Sequence, residues 1–402
     1  MQQVVIAKPY QFVPPHQGVL WPWLLQKWLP GHLRRKWGVS WPEFHGLERL
    51  KASQQAGHSV LLAPNHCRPC DPFVLALLGA ELNQPFYTMA SWHLFMQGRL
   101  QRWLLRRAGA FSVFREGLDR EALKTASQLL VEARRPLVIF PEGVITRAND
   151  RLGYVMDGVA FIARSAAKIR AKAEQPGQVV IHPLALRYTF GGDLRQAVEP
   201  VLDMIERRIG WQPYCGTSLV ERVRKLGEAL LSVKEIEYFG MAQSGPRAER
   251  LPQLIDRVLG PPEDRYLSGK REATTVARIK KLRAAILPPL TNHEGTAEEQ
   301  ASRWRHLADC TFAQMLEAYS GGYLDGEPTT ERLLETVERY EEDTTDEART
   351  HRPLTCRMEI GDALPVSVDR PRGEADPLTA QLEDRLKAML AASAPLCHPW
   401  KE

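Results

Sequence analysis

No uninterrupted apolar stretch in this chain approaches the roughly 20 residues that a membrane-spanning helix needs, so none of its segments reads as a helical span. The opening residues, Met1 to Lys8, lack the basic region and apolar run of a secretory leader. Cysteine is sparse, six in 402 residues, and its spacing makes no disulfide framework, which points to a reducing compartment. There is no fixed-period repeat, no low-complexity tract, and no helix-turn-helix, zinc-finger or RNA-recognition pattern, so a nucleic-acid partner is not expected. What is present is a 44% hydrophobic chain long enough for one large domain with an addition, or for two ordinary domains.

Charge is divided along the chain. Residues 1–170 hold 22 Lys and Arg against 11 Asp and Glu, a net +11, while the remainder carries −6 and the whole +5. A basic half suits anionic substrates and an anionic membrane surface. Two segments of that half are rich in tryptophan and cations. Val19 to Leu29, leading into Arg34-Arg35-Lys36-Trp37, reads as a bilayer-contacting segment within residues 1–44. Trp92 to Arg107 repeats the theme and is open to a second reading, an amphipathic helix covering a sheet.

Three short segments of the basic half could carry chemistry. The first is Asn65-His66-Cys67-Arg68-Pro69-Cys70-Asp71-Pro72, at the end of an apolar run. A neutral imidazole can take a proton from an alcohol, and a carboxylate on its other nitrogen fixes the tautomer and stabilises the imidazolium. The same residues are open to a plainer reading, with Asp71 as a helix N-cap and Pro72 in the first helical turn. The second segment, Ala110 to Gly117, is an apolar run ending in Arg115; the third, Leu137 to Gly143, is a buried-type strand ending in Pro141, Glu142 and Gly143. Helical patterns at Pro72 to Leu82 and Arg120 to Ala133 follow the first two runs, which predicts parallel strands whose carboxyl ends bring base, cation and carboxylate to one edge.

These segments resemble the blocks of the glycerolipid acyltransferases, the family of the glycerol-3-phosphate and lysophosphatidic acid enzymes. His66 to Asp71 is similar to their His-x-x-x-x-Asp block, Arg115 to the arginine of the second, and Phe140-Pro141-Glu142-Gly143 to the third. Val179 to Leu186, an apolar strand carrying Pro183, is a looser match to the fourth. The chain departs from the family in the block interiors. Cys67-Arg68-Pro69-Cys70 stands where the family has a hydroxyl residue and apolar neighbours, and Val144-Ile145 precede Thr146-Arg147 where the family runs straight into Thr-Arg.

The resemblance implies an α/β fold, a mixed, largely parallel sheet flanked by helices. It implies that His66 takes the proton of an acceptor hydroxyl attacking an acyl thioester, with Asp71 orienting the imidazole. Arg115 would bind the acceptor phosphate, Glu142 would hold the acceptor or organise the cations, Gly143 would let backbone approach the ligand, and Arg147 would line the acceptor site. Glu142 is equally open to a purely structural role, as a cap or as an ion-pair partner of Arg115 or Arg147. The implied partners are an acyl-CoA or acyl carrier protein donor, a phosphate-bearing lipid acceptor and an anionic membrane surface, with no metal or organic cofactor. The expected location is cytoplasmic and peripheral to the membrane; the oligomeric state is not legible. The Cys67-x-x-Cys70 pair raises zinc or a disulfide; Cys215, Cys310, Cys356 and Cys397 are too scattered to complete a zinc site, whereas a disulfide would distort the loop carrying His66.

Beyond about residue 195 the pattern turns to charged amphipathic helices: Leu219 to Val233, Ala273 to Ala285, Ala297 to Tyr319 and Thr329 to Asp346, with breaks at clusters such as Gly260-Pro261-Pro262. An α/β pattern returns at Leu354 to Ile360, Leu364 to Val368 and Asp376 to Ala392. The chain therefore divides into 1–44, a core at 45–200, helices at 201–350, and returning strands with a closing helix at 351–402. The helices are either an insertion into one domain, whose sheet the tail completes, or part of an independent C-terminal domain.

Overall fold

A computed structural model of the chain describes residues 6, 8–173, 177–213, 216–319, 322–369 and 376–402. Among these, eight strands form one sheet: β1 (Glu43–His45), β2 (Ser59–Pro64), β3 (Tyr87–Ser91), β4 (Ala110–Val113), β5 (Leu137–Val138), β6 (Val179–Phe190), β7 (Leu354–Ile360) and β8 (Leu364–Pro365). Their order is β1-β7-β6-β2-β5-β3-β4, with β8 on β6. The strands from β6 through β2, β5 and β3 to β4 are parallel, whereas β7 runs antiparallel to β6 and parallel to β1. The expected fold class holds.

Helices cover both faces: α1 (Leu20–Trp37), α2 (Leu47–Gln55), α3 (Asp71–Glu81), α4 (Trp92–Phe95), α5 (Arg99–Arg107), α6 (Arg120–Glu132), α7 (Gly158–Arg170) and α8 (Leu194–Arg208). The helical part follows as α9 (Leu219–Phe239), α10 (Arg247–Leu267), α11 (Thr275–Thr291), α12 (Ala297–Glu317) and α13 (Thr330–Thr345), and α14 (Pro377–Ala392) comes after the last strand, with a 3-10 turn at Ala394–Leu396 beyond it. Side chains alternate along each strand. Val60 and Leu62 of β2 therefore join a core with α1, α3, α8 and α13, while Leu61 and Ala63 join one with α6, α7 and α14. Helices α10, α11 and α12 share a third core, against which Phe114 packs.

Three expectations need correction. Gly260-Pro261-Pro262 breaks nothing, because α10 runs through all three residues and through Pro252. Proline already holds a helical φ, the side-chain-free Gly260 relieves crowding, and buried Leu254, Ile255, Val258 and Leu259 outweigh the lost hydrogen bonds. The segment from Trp92 to Arg107 is two helices, divided at Gly98, whose φ of 148° suits glycine. Strand β5 is also shorter than its apolar run, ending at Val138.

β6 positions the site. It outruns β2, which pairs only with Val179–Leu184, while β7 covers the other edge as far as Phe190. Beyond β2 the open edge is completed by side chains. The N–H groups of Leu186, Tyr188 and Phe190 donate to Asn65 Oδ1 at 2.7 Å, Asn149 Oδ1 at 2.7 Å and Glu331 Oε1 at 3.1 Å. The two amides also donate back, to Leu186 O at 3.2 Å and Tyr188 O at 2.6 Å. Unpaired backbone is costly when buried, and meeting that need draws the loop after β2, the loop after β5 and the start of α13 to one place.

Candidate active site

The chain leaves β2 at Pro64 and makes a tight loop before α3, and His66 and Asp71 lie at its two ends. His66 Nδ1 lies 2.9 Å from Asp71 Oδ2, and the same oxygen accepts the backbone N–H of Cys67 at 2.8 Å and of Arg68 at 2.9 Å. Asp71 is the first residue of α3 rather than its cap, and its carboxylate, 0% exposed, folds back into the loop. The His66 side chain is 14% exposed. With Nδ1 committed to Asp71, Nε2 is the nitrogen that can accept a proton. Tyr188 of β6 donates its phenol to Asp71 Oδ1 at 2.7 Å.

The loop after β5 grips His66 from three sides. The Phe140 ring stacks on the imidazole with centroids 3.9 Å apart. Glu142 Oε1 accepts the His66 N–H at 2.6 Å, and Thr146 donates its N–H to the His66 carbonyl at 2.8 Å and its hydroxyl to it at 3.1 Å. Glu142 Oε2 accepts the Gly153 N–H at 2.5 Å. Burial pushes the Glu142 carboxyl up to about 8, against the pull of those two hydrogen bonds. Gly143 follows at φ +67°, and a side chain there would collide with Met156.

Arg115 arrives from the turn after β4 and donates Nη1 to the Gly143 carbonyl at 2.9 Å. His66, Asp71, Glu142, Gly143 and Arg115 are thus linked in one hydrogen-bonded assembly at the carboxyl edge of the parallel strands. Burial lowers the Arg115 guanidinium from its ordinary value, with Glu116 opposing and Arg283 of α11 adding to the fall. Arg147 lies apart from this assembly. Its guanidinium pairs with Glu342 of α13 at 2.5 Å.

Helix α13 holds the site from outside the sheet. Arg68, 2% exposed, pairs with Glu338 at 2.9 Å and Glu335 at 3.4 Å. Asn149 N–H donates to Glu335 at 3.1 Å, Arg332 Nε to Asp150 at 2.7 Å, and Arg339 Nη2 to the carbonyls of Thr146 and Arg147 at 3.1 and 3.0 Å. The unusual Arg68 inside the first block is accounted for by these carboxylates. Tyr188, Asn149 and Arg283 are absent from the sequence reading, and α13 figures there only as one of the charged amphipathic helices, with no part in the site.

Cys67, Cys70, Cys310, Cys356 and Cys397 are free and buried, while Cys215 lies outside the described residues. Burial pushes the Cys67 thiol well up and the Cys70 thiol to about 12, which leaves little thiolate for disulfide chemistry. A cavity of about 450 Å³ lies past β6 against Phe190, Asp193, Gln196 and Arg352, and none of the block residues lines it.

An imidazole backed by a buried carboxylate lies at the carboxyl edge of a largely parallel sheet, the place where α/β folds hold their ligands, and such a pair has the chemistry of a general base. Residues 42–187 match the Acyltransferase family, which supports an acyltransferase domain of the glycerolipid type in this part of the chain and an O-acyltransferase activity for it. No curated protein matches the chain.

Proposed function

We propose that the protein moves a fatty acyl group from acyl-CoA or acyl carrier protein to a hydroxyl of a glycerol phosphate or lysophospholipid, in phospholipid biosynthesis. The observation that carries this reading is the His66–Asp71 pair at 2.9 Å, with Arg115 joined to the same assembly through Gly143. His66 Nε2 takes the acceptor's proton as its oxygen bonds to the thioester carbonyl carbon. The carbon–sulfur bond then breaks, and the departing thiolate recovers the proton from the imidazolium. A thiol ionises near pH 8.5, so the leaving group needs no stronger acid. Asp71 holds the tautomer and stabilises the imidazolium. The step invokes no metal or organic cofactor.

Arg115 binds the acceptor phosphate through its planar, permanently charged fork. Glu142 serves by holding the His66 backbone, its two oxygens being taken by the His66 and Gly153 N–H groups. Gly143 brings backbone close to the ligand, and Arg147 acts at the acceptor side through its junction with α13. Residues 201–350 are read as an insertion, which the place of β7 between β6 and β1 supports.

Catalysis occurs at a cytoplasmic membrane surface. Leu20, Trp23, Leu24 and Trp28 of α1 and Leu100 and Trp103 of α5 are exposed, and Trp21 meets Trp103 edge-on at 4.7 Å. Lys27, Arg99, Arg102 and Arg106 are exposed on the same two helices. No helix among the described residues is long and apolar enough to cross a bilayer.

The test is free-thiol release from an acyl thioester across a panel of acceptors. Release that requires a phosphorylated acceptor, falls by about 10²–10⁴ in His66→Ala, and shows a tenfold or greater rise in acceptor KM in Arg115→Ala, of the order expected for losing a charged hydrogen bond, supports the reading. Release with unphosphorylated acceptors alone assigns a different polar lipid. No release with any acceptor returns the chain to a lipid-binding scaffold.

A further inference from the structure

The two oxygens of Asp71 have different partners. Oδ2 serves His66 and two backbone N–H groups, whereas Oδ1 faces the Tyr188 phenol at 2.7 Å and the Cys67 sulfur at 4.0 Å, too long for a strong bond. Tyr188 is wholly buried, and desolvation together with the Asp71 charge pushes its phenol well above 10, so it remains an O–H donor wherever the protein is folded. The Cys70 thiol contacts the phenol oxygen at 3.6 Å. Asn149 binds the N–H and the carbonyl of Tyr188 and so fixes the backbone from which the buried ring projects to Asp71.

We propose that Tyr188 is a positioning residue for the proton acceptor, setting through Asp71 both the orientation and the proton affinity of His66. The inference rests on His66 as the base. A buried carboxylate distributes its charge according to its donors. The phenol holds charge on Oδ1 and so moderates the pull of Oδ2 on the imidazole. The other ionisable groups around Asp71 are His66, Cys67, Arg68 and Cys70 on its loop, Glu142 after β5, Cys356 on β7 and Glu335 on α13. Burial keeps Cys67, Cys70 and Cys356 as thiols, which are weak donors, with Cys67 reaching Oδ1 only at 4.0 Å and Cys70 directed at the phenol oxygen, and Arg68 pairs with Glu335 and Glu338, so the phenol is the strong donor to Oδ1.

The experiment titrates the His66 imidazole by NMR in the full chain with labelled histidine, its resonance assigned with His66→Gln, and needs no substrate. Tyr188→Phe removes only the hydroxyl, and the His66 midpoint is expected to rise by about one pH unit, a fraction of what a hydrogen bond to a charged group contributes. Replacing Tyr188 with 3-fluorotyrosine keeps the ring and strengthens the donor, and the midpoint is expected to fall. A folded Tyr188→Phe chain with an unmoved midpoint overturns the inference; should that variant fail to fold, an unmoved midpoint in the fluorotyrosine chain overturns it alone. Thiol release surviving His66→Ala would instead overturn the catalytic reading and leave the titration result standing.

Discussion

At the scale of single residues, Glu142 shows how an acyltransferase block can serve by holding a backbone. Both carboxylate oxygens accept N–H groups, one from His66 and one from Gly153, in a place so dry that the carboxyl is pushed up to about 8. A carboxyl raised above its unfolded value contributes stability that is complete below about pH 4.5 and is lost as pH rises through about 8. Glu142→Gln keeps one acceptor and turns an amide N–H₂ toward the other donor. We expect a loss of about 1–3 kcal/mol at low pH, measured by urea unfolding, and a loss that shrinks between pH 4.5 and 8 because only the wild type carries that slope. A gap constant across those pH values would mean that the carboxyl ionises as in water.

At the scale of elements, the short blocks were legible because each is contiguous: an imidazole and a carboxylate five residues apart, an arginine after an apolar run, and a glutamate between proline and glycine. Helix α13 was legible as a helix but not as a wall of the site. Its Glu331, Glu335, Glu338, Glu341 and Glu342 are spaced as on any amphipathic helix, and only the fold sets them against Phe190, Arg68, His351 and Arg147. Tyr188 and Asn149 were illegible for the same reason, since they act on segments far off in sequence. α10 was obscured by prolines whose local cost is outweighed by tertiary burial. The Arg68 pairs test the wall. Arg68→Ala strands two buried carboxylates, and we expect about 3–5 kcal/mol of destabilisation in urea unfolding. Arg195→Ala, which removes an exposed pair with Glu199, is expected to cost under about 1 kcal/mol.

At the scale of the molecule, the division of charge and the exposed tryptophans bear on where the enzyme works. α1 buries Pro22, Leu29, Leu33 and Trp37 and turns Trp23 and Trp28 outward, beside α5 with its arginines. We expect the full chain to float with vesicles containing anionic lipid, to float less as salt rises past the screening range, and to lose at least tenfold in partitioning when Trp23, Trp28 and Trp103 are changed together to serine. Equal flotation by the triple variant would move the contact elsewhere.

The position of β7 also orders events during synthesis. Strand β6 is complete at Phe190, but its neighbour on one edge is not made until Leu354 to Ile360 emerges. At 5–20 residues per second that interval lasts roughly 8–30 s. For that time a long apolar ribbon on the ribosome has one flank without a partner, open to pairing with any strand nearby. Helices α10 to α12, translated in the interval, form a separate core of their own, while α8 and α13 join α1 and α3 in the core on one face of the sheet before its last interior strand arrives.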